Sequence, residues 1–173
     1  MSKEIIIVTI SLGNDGAERI LTELARQWHQ DGHKITVIQT SPNRYGTEYV
    51  LPEGIEQIQI HTTSSNKIIR FLQEIKVLIG ILKKRPCATC LSFLSASSFI
   101  LAISSWFVKN RIVFSERNNP RKVPVGKHQQ MLRDFAFNFA DAIVFQTEDA
   151  KSYFSHTIQS RGHIIPNPIN GNL

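Results

Sequence analysis

The stretch Ile5-Ile6-Ile7-Val8-Thr9-Ile10-Ser11-Leu12-Gly13-Asn14-Asp15-Gly16-Ala17-Glu18-Arg19-Ile20-Leu21 decides how this chain is read. Its first six residues form a short β-branched run, the pattern of a strand buried on both faces of a parallel sheet. The period then changes: Ile20, Leu21, Leu24 and Trp28 recur at helical spacing, with Glu18, Glu23 and Arg26 on other faces. Gly32 ends that helix, and Lys34-Ile35-Thr36-Val37-Ile38 starts a second strand. The loop Gly13-Asn14-Asp15-Gly16 therefore falls where a strand stops and a helix begins. Such a loop exposes unpaired backbone N–H groups at the positive end of the helix dipole, a physical site for phosphate or another anion. A lone Gly-x-x-Gly equally permits a plain tight turn, and on spacing alone both readings stand.

The surroundings of this loop exclude several nucleotide sites. A dinucleotide fingerprint needs Gly-x-Gly-x-x-Gly and an acidic residue ending the second strand. Here the spacing is Gly13-x-x-Gly16 and the second strand ends in Gln39-Thr40-Ser41, which disfavours NAD and weakens a methyltransferase reading. A kinase-type phosphate loop needs Gly-Lys-Ser/Thr, but Gly126-Lys127 is followed by His128.

At 173 residues and 42% hydrophobic, the chain suits one domain with a full core. A net charge of +6 favours anionic partners, without choosing among nucleotide phosphate, anionic lipid and nucleic acid. Nucleic acid is disfavoured because the basic residues lack interleaved aromatics or a groove-entering motif. Met1-Ser2-Lys3-Glu4 leads into a strand too short and too acid-flanked for a signal peptide. Cys87-x-x-Cys90 precedes a strand, not the helix of a redox pair, and no second Cys or His pair completes a zinc site. Both cysteines are read as reduced and structural in a cytosolic protein. Residues 91–108 carry no charge, yet six are serines, so they are read as a buried strand, a small-residue loop at Ser95-Ala96-Ser97-Ser98 and a buried helix.

Further strands are expected at 55–60, 88–93, 111–114, 142–145 and 163–165. Helices alternate with them. Over 67–84 the apolar stripe is Ile68, Phe71, Leu72, Ile75, Leu78, Ile79 and Leu82; over 128–139 it is Met131, Leu132, Phe135 and Phe139. This alternation predicts an α/β fold, a doubly wound, mostly parallel sheet with helices on both faces. Ligands of such sheets bind outside the carboxyl ends of the strands. There the chain places Ser115-Glu116-Arg117-Asn118-Asn119-Pro120-Arg121, where Arg117, Arg121 and Lys122 could neutralise phosphate or hold an acidic acceptor. Glu116 could bond a sugar hydroxyl or pair with Arg117; local pairing of loop charges is the competing reading. Thr147, Glu148 and Asp149 suit a helix N-cap and first turn. His29 and His33 flank a helix end in turn or capping roles. Of the other histidines, only His128, beside the basic loop, is kept as a ligand candidate. Pro166-Asn167-Pro168 forbids helix and reads as the start of a linker or hinge, with a domain over 1–165 and linker over 166–173.

Three blocks together resemble the retaining group 1, or family 4, glycosyltransferases of bacterial polysaccharide biosynthesis. Gly16-Ala17-Glu18-Arg19-Ile20-Leu21 with Gly32-His33-Lys34-Ile35-Thr36-Val37 is similar to the family's GGAER…GH-x-V-T-V opening. Ser115-Glu116-Arg117-Asn118-Asn119-Pro120 is similar to its SERN-(D/N)-P stretch, and 141–147 with Ile165-Pro166-Asn167-Pro168-Ile169 to its hinge blocks. One departure is Asp15, which stands where the family has the first glycine of its pair. The resemblance spans the whole chain but only the N-terminal half of a GT-B enzyme. It implies a Rossmann-like, acceptor-side domain that is inactive alone, its C-terminal donor domain absent. It also implies a nucleotide-sugar donor, UDP- or GDP-linked, and a glycan or lipid-linked acceptor, with hexosyl or N-acetylhexosaminyl transfer. Gly13 and Gly16 would approach the donor diphosphate, and Glu116, Arg117, Arg121, His128 and Thr147 would line the acceptor or leaving-group cleft. No metal and no resident cofactor is implied. The expected location is the cytoplasm, peripheral at the inner membrane. The alternative is a non-catalytic Rossmann-like module that binds anions or an anionic membrane surface, the basic residues of the 67–85 helix making the contact.

Overall fold

The computed structural model describes residues 2–13, 16–41, 49–93 and 95–166. In chain order the elements are β1 Glu4–Thr9, α1 Gly16–Gln30, β2 Lys34–Gln39, β3 Glu56–Gln59, α2 Lys67–Lys83, β4 Thr89–Ser92, α3 Ser95–Ser105, β5 Arg111–Glu116, α4 Lys127–Phe137, β6 Ala142–Phe145, α5 Glu148–Ser152, α6 His156–Gln159 and β7 Gly162–Ile164. They build one seven-stranded sheet in the order β3-β2-β1-β4-β5-β6-β7, and every pairing is parallel. The Rossmann-like α/β class read from the sequence is the fold that forms. Strand order reverses between β1 and β4, so the crevice such a sheet offers to ligands opens at their carboxyl ends.

Alternation along the strands feeds two cores. Ile6, Val8, Cys90, Ile112, Phe114, Ile143 and Phe145 pack on one side with residues of α2, α3 and α4. Ile7, Ile35, Val37, Leu91 and Phe93 pack on the other side with Leu21 and Ala25 of α1. Cys90 is buried and its surroundings push the thiol up to about 12, which keeps it inert. Cys87, by contrast, is exposed. Gly54 has φ +93°, and an added Cβ there would lie 2.9 Å from His29 Nε2, so His29 packs over a position that only glycine fits. His33 Nδ1 accepts the Lys3 N–H at 3.3 Å, a long-range bond between the turn after α1 and the segment before β1 where a local turn or capping role was expected.

Three local expectations change. The small-residue loop at 95–98 is the first turn of α3 instead. Ser97 and Ser98 hydroxyls lie 2.7 and 3.3 Å from Ser92 Oγ, so buried serines at the end of β4 are satisfied by the helix that follows at once. In α4 the stripe Met131, Leu132 and Phe135 does not face the sheet; Arg133, Ala136 and Phe137 do. Phe137 stacks on Phe114 at 5.6 Å, which sets the helix rotation. In α2 only Ile75, Leu78 and Leu82 are buried, while Ile68 and Leu72 stay exposed. The polar loop expected at 41–49 lies mostly outside the described residues.

Candidate functional site at the carboxyl edge of the sheet

A wholly parallel sheet sends the exit of every strand to one edge, so the β1–α1 loop and the β5 exit share it although a hundred residues separate them in sequence. β4 alone separates β1 from β5, which puts the two exits about 10 Å apart by strand spacing. At the first exit the two glycines take different surroundings. Glu18, in the first turn of α1, is buried, and its Oε1 accepts the Ser11 hydroxyl at 3.0 Å. An added Cβ on Gly13 would lie 3.1 Å from Glu18 Oε2, so Gly13 makes room for this carboxylate at the positive end of the helix. Gly16 is exposed with open space around it, and the tip of α1 is accessible there. Asn14 and Asp15 lie outside the described residues.

The second exit is built around a buried ion pair. Glu116, the last residue of β5, is 4% exposed and Arg133 of α4 is 0% exposed. Their side chains approach to 3.8 Å between Nη1 and Oε2. Burial pushes the Glu116 carboxyl up to about 7, against the opposing pull of the Asn118 N–H at 3.0 Å and the Arg133 charge. Arg133 Nη1 also donates to the carbonyls of Pro120 and Val123, at 3.0 and 2.9 Å. Its guanidinium lies over the rings of Tyr153 and Phe154, 5.1 and 4.8 Å from their centroids. One buried arginine thus ties the 117–124 loop to the strand it leaves and to the segment after α5. Sequence reading missed Arg133; a single arginine among apolar residues in a helix facing a carboxylate-ended strand was the available signal.

Pleating divides the rest of this motif between the faces. Glu116 turns to the α4 side. Arg117 sits over the Phe93 ring at 5.5 Å on the α1 side, with Ser115 and Val113 in a recess of about 520 Å³. Burial lowers the Arg117 pKa from its ordinary value. Arg121 reaches Asp149 Oδ1 at 3.3 Å and lies over the Tyr153 ring, so Asp149 anchors this loop besides standing in the first turn of α5. Thr147 is the N-cap expected, its hydroxyl accepting the Ala150 N–H at 3.1 Å. His128 is exposed in the first turn of α4. Pro166 is exposed just past β7, while Asn167 and Pro168 of the hinge lie outside the described residues.

A polar recess of about 400 Å³ opens at the same edge beyond β1, β2 and β3. Thr40, Ser41, His61, Thr62, Arg70 and Glu74 contribute its polar lining. Desolvation raises the Glu74 pKa against the pull of Arg70, 3.9 Å away. Three sequence segments meet here through parallel topology, so no local motif announces the recess. Hydroxyls, a guanidinium and a carboxylate side by side suit a polyhydroxylated ligand, which needs donors and acceptors together.

A parallel sheet with an open helix tip, a cation-rich exit loop and a polar recess on one edge defines a Rossmann-like α/β domain whose polar features gather at the carboxyl ends of its strands. The chain belongs to Glycosyltransferase Family 4, whose sequence pattern matches residues 14–172. Its fold is similar to that of Anabaena Alr3699/HepE in complex with UDP and glucose, at 13% identity and TM-score 0.75, covering 96% of this chain and 45% of that one. Sucrose-phosphate synthase from Thermosynechococcus elongatus is similar at 8% identity and TM-score 0.74, covering 97% and 49%. The lipopolysaccharide outer core galactosyltransferase WaaB, in its apo form, is similar at 11% identity and TM-score 0.73, covering 96% and 46%. The chain therefore spans less than half the length of each of these structures. No curated protein sequence matches it.

Proposed function

We propose that this chain is the acceptor-side half of a retaining glycosyltransferase. It would act with a donor-binding half to move a hexosyl or N-acetylhexosaminyl group from a UDP- or GDP-sugar to a glycan or lipid-linked acceptor. One observation carries the reading: the open tip of α1 at Gly16 and the Glu116–Arg133 exit loop share the carboxyl edge of one sheet, on both sides of its switch point. Amide hydrogens at Gly16 would meet the donor diphosphate, with Gly13 shaping the loop behind them. Arg117 and Arg121 supply positive charge for the leaving phosphate or an acidic acceptor, and stabilising that charge lowers the barrier more than any single base would. The acceptor sugar fits the recess of Thr40, His61, Arg70 and Glu74. HepE crystallised with UDP-glucose supports a nucleotide-sugar donor.

The test uses labelled UDP- and GDP-sugars with lipid-extract and oligosaccharide acceptors. The 173-residue chain alone is expected to give no transfer, and the chain joined to a family donor domain to give product with retained anomeric configuration. Inverted product, or turnover by the chain alone, would overturn the reading.

A further inference from the structure

The polar recess at the carboxyl ends of β1, β2 and β3 contains a cation that its own walls leave largely unengaged. Arg70, near the start of α2, lines this cavity of about 400 Å³ with its side chain 46% exposed. Its Nε lies 3.9 Å from Glu74 Oε1, an ion-pair distance too long for a hydrogen bond. Among the described residues no other group pairs with the guanidinium, so its fork of donors stays open. Glu74 compensates the charge only in part, because burial disfavours its ionised form. Helix first turns favour acids, yet the first turn of α2 holds Lys67 and no acid. The field at this end of the helix is therefore positive, and the recess has room for one negative group.

The rest of the lining says what carries that group. Ile60 and Ile100 are buried and give an apolar floor, while Thr40, Ser41 and His61 bring hydrogen-bonding groups to the walls. A hexose has an apolar C–H face and a rim of hydroxyls, so the lining matches a sugar and the cation an acid borne on it. The wall is fixed in advance. Gln73, between Arg70 and Glu74 in α2, donates from Nε2 to Thr63 Oγ1 at 3.1 Å and accepts the Thr63 N–H at 3.2 Å, which ties the segment after β3 to the helix. Charge then selects the acid. One arginine balances a carboxylate, whereas a phosphate monoester carries nearly two charges. No second arginine or lysine stands among the described residues that line the recess. A guanidinium also meets a planar carboxylate through two parallel bonds.

We infer that the sugar unit seated in this recess is a hexuronic acid, its carboxylate on Arg70 and its hydroxyls on Thr40, Ser41 and His61. Its role as the acceptor rests on the glycosyltransferase reading above; the preference for an acidic sugar does not. The test is amide NMR of the isotope-labelled 173-residue chain titrated with methyl glucuronide, methyl glucoside and glucose monophosphate. The glucuronide is expected to shift amides at 40–41, 61–64 and 70–74 with a Kd on the order of 1 mM. It should bind about tenfold more tightly than the glucoside or the phosphate. Arg70→Gln should bring the glucuronide down to the level of the glucoside, and Arg70→Lys should keep part of the preference. Glu74→Gln should hold or raise it, since a competing acid leaves the cation's side. Arg70 is half-exposed, and the spectrum of each variant verifies that the fold is kept. A glucuronide that binds no better than the glucoside overturns the inference, as does a preference that survives Arg70→Gln or shifts that fall outside the recess. Tighter binding of the phosphate overturns it equally, since the cation would then serve a phosphorylated sugar. The transfer assay above decides the acceptor role by itself, so the two readings fail separately.

Discussion

α1 and α4 lie on opposite faces of the same sheet and solve burial in opposite ways. α1 turns Leu21 and Ala25 inward, keeps Ile20, Leu24 and Trp28 packed beside them, and leaves Glu23 and Arg26 to a 2.9 Å surface pair. α4 buries an arginine with Ala136 and Phe137 and turns Met131, Leu132 and Phe135 outward. Apolar periodicity therefore reports that a helix has a face for an apolar neighbour, without saying that the neighbour is its own sheet. In α1 the stripe and the core coincide. In α4 they are about a third of a turn apart, and the core slot is held by a charge.

The contrast breaks most sharply at Arg133. Arg133→Ala removes the donor to Pro120 and Val123 and leaves Glu116 buried without its partner, so a loss of about 3–5 kcal/mol is expected in urea unfolding. A loss below about 1 kcal/mol would mean that α4 is held by its phenylalanines alone. Next comes the apolar counterpart, Leu21→Ala in α1, expected to cost about 2–4 kcal/mol by emptying a fully buried site. The same measurement checks it.

The pH dependence of stability sharpens the difference between a charged slot and an apolar one. Glu116 binds its proton more tightly folded, at about 7, than unfolded, where glutamate titrates near its ordinary value. Its contribution is thus complete below the unfolded pKa and is lost as pH rises through about 7. Stability should fall by roughly 2 kcal/mol between about pH 5 and pH 8, and Glu116→Gln should flatten that slope. Unfolding at fixed temperature over that range measures it; an unchanged slope in the glutamine variant would show that other groups set it. The smallest effect is expected at Leu132→Ala, under about 1 kcal/mol, because the side chain is already half in water. A loss as large as that of Leu21→Ala would erase the distinction between the two layers.

Much of this was legible from the residues. Parallel strands, their alternation with helices and the strand-end loops follow from periodicity and glycine placement, and Thr147 capped the helix it was expected to cap. What escaped was tertiary. Whether Phe135 or Phe137 turns inward depends on Phe114, 21 and 23 residues away respectively, and no local pattern carries that choice. The recess at Thr40, His61 and Glu74 draws on three segments that only the sheet brings together. The serines at 97 and 98 looked like loop because serine favours turns, yet a buried hydroxyl partner on Ser92 made helix the better arrangement.

Arg133 has a mechanical consequence. It grips two carbonyls of the 117–124 loop while two rings from beyond α5 close over it, and Arg121 bolts the same loop to Asp149. The loop cannot swing outward without tearing a cation from its aromatic seat, so it behaves as a fixed jaw.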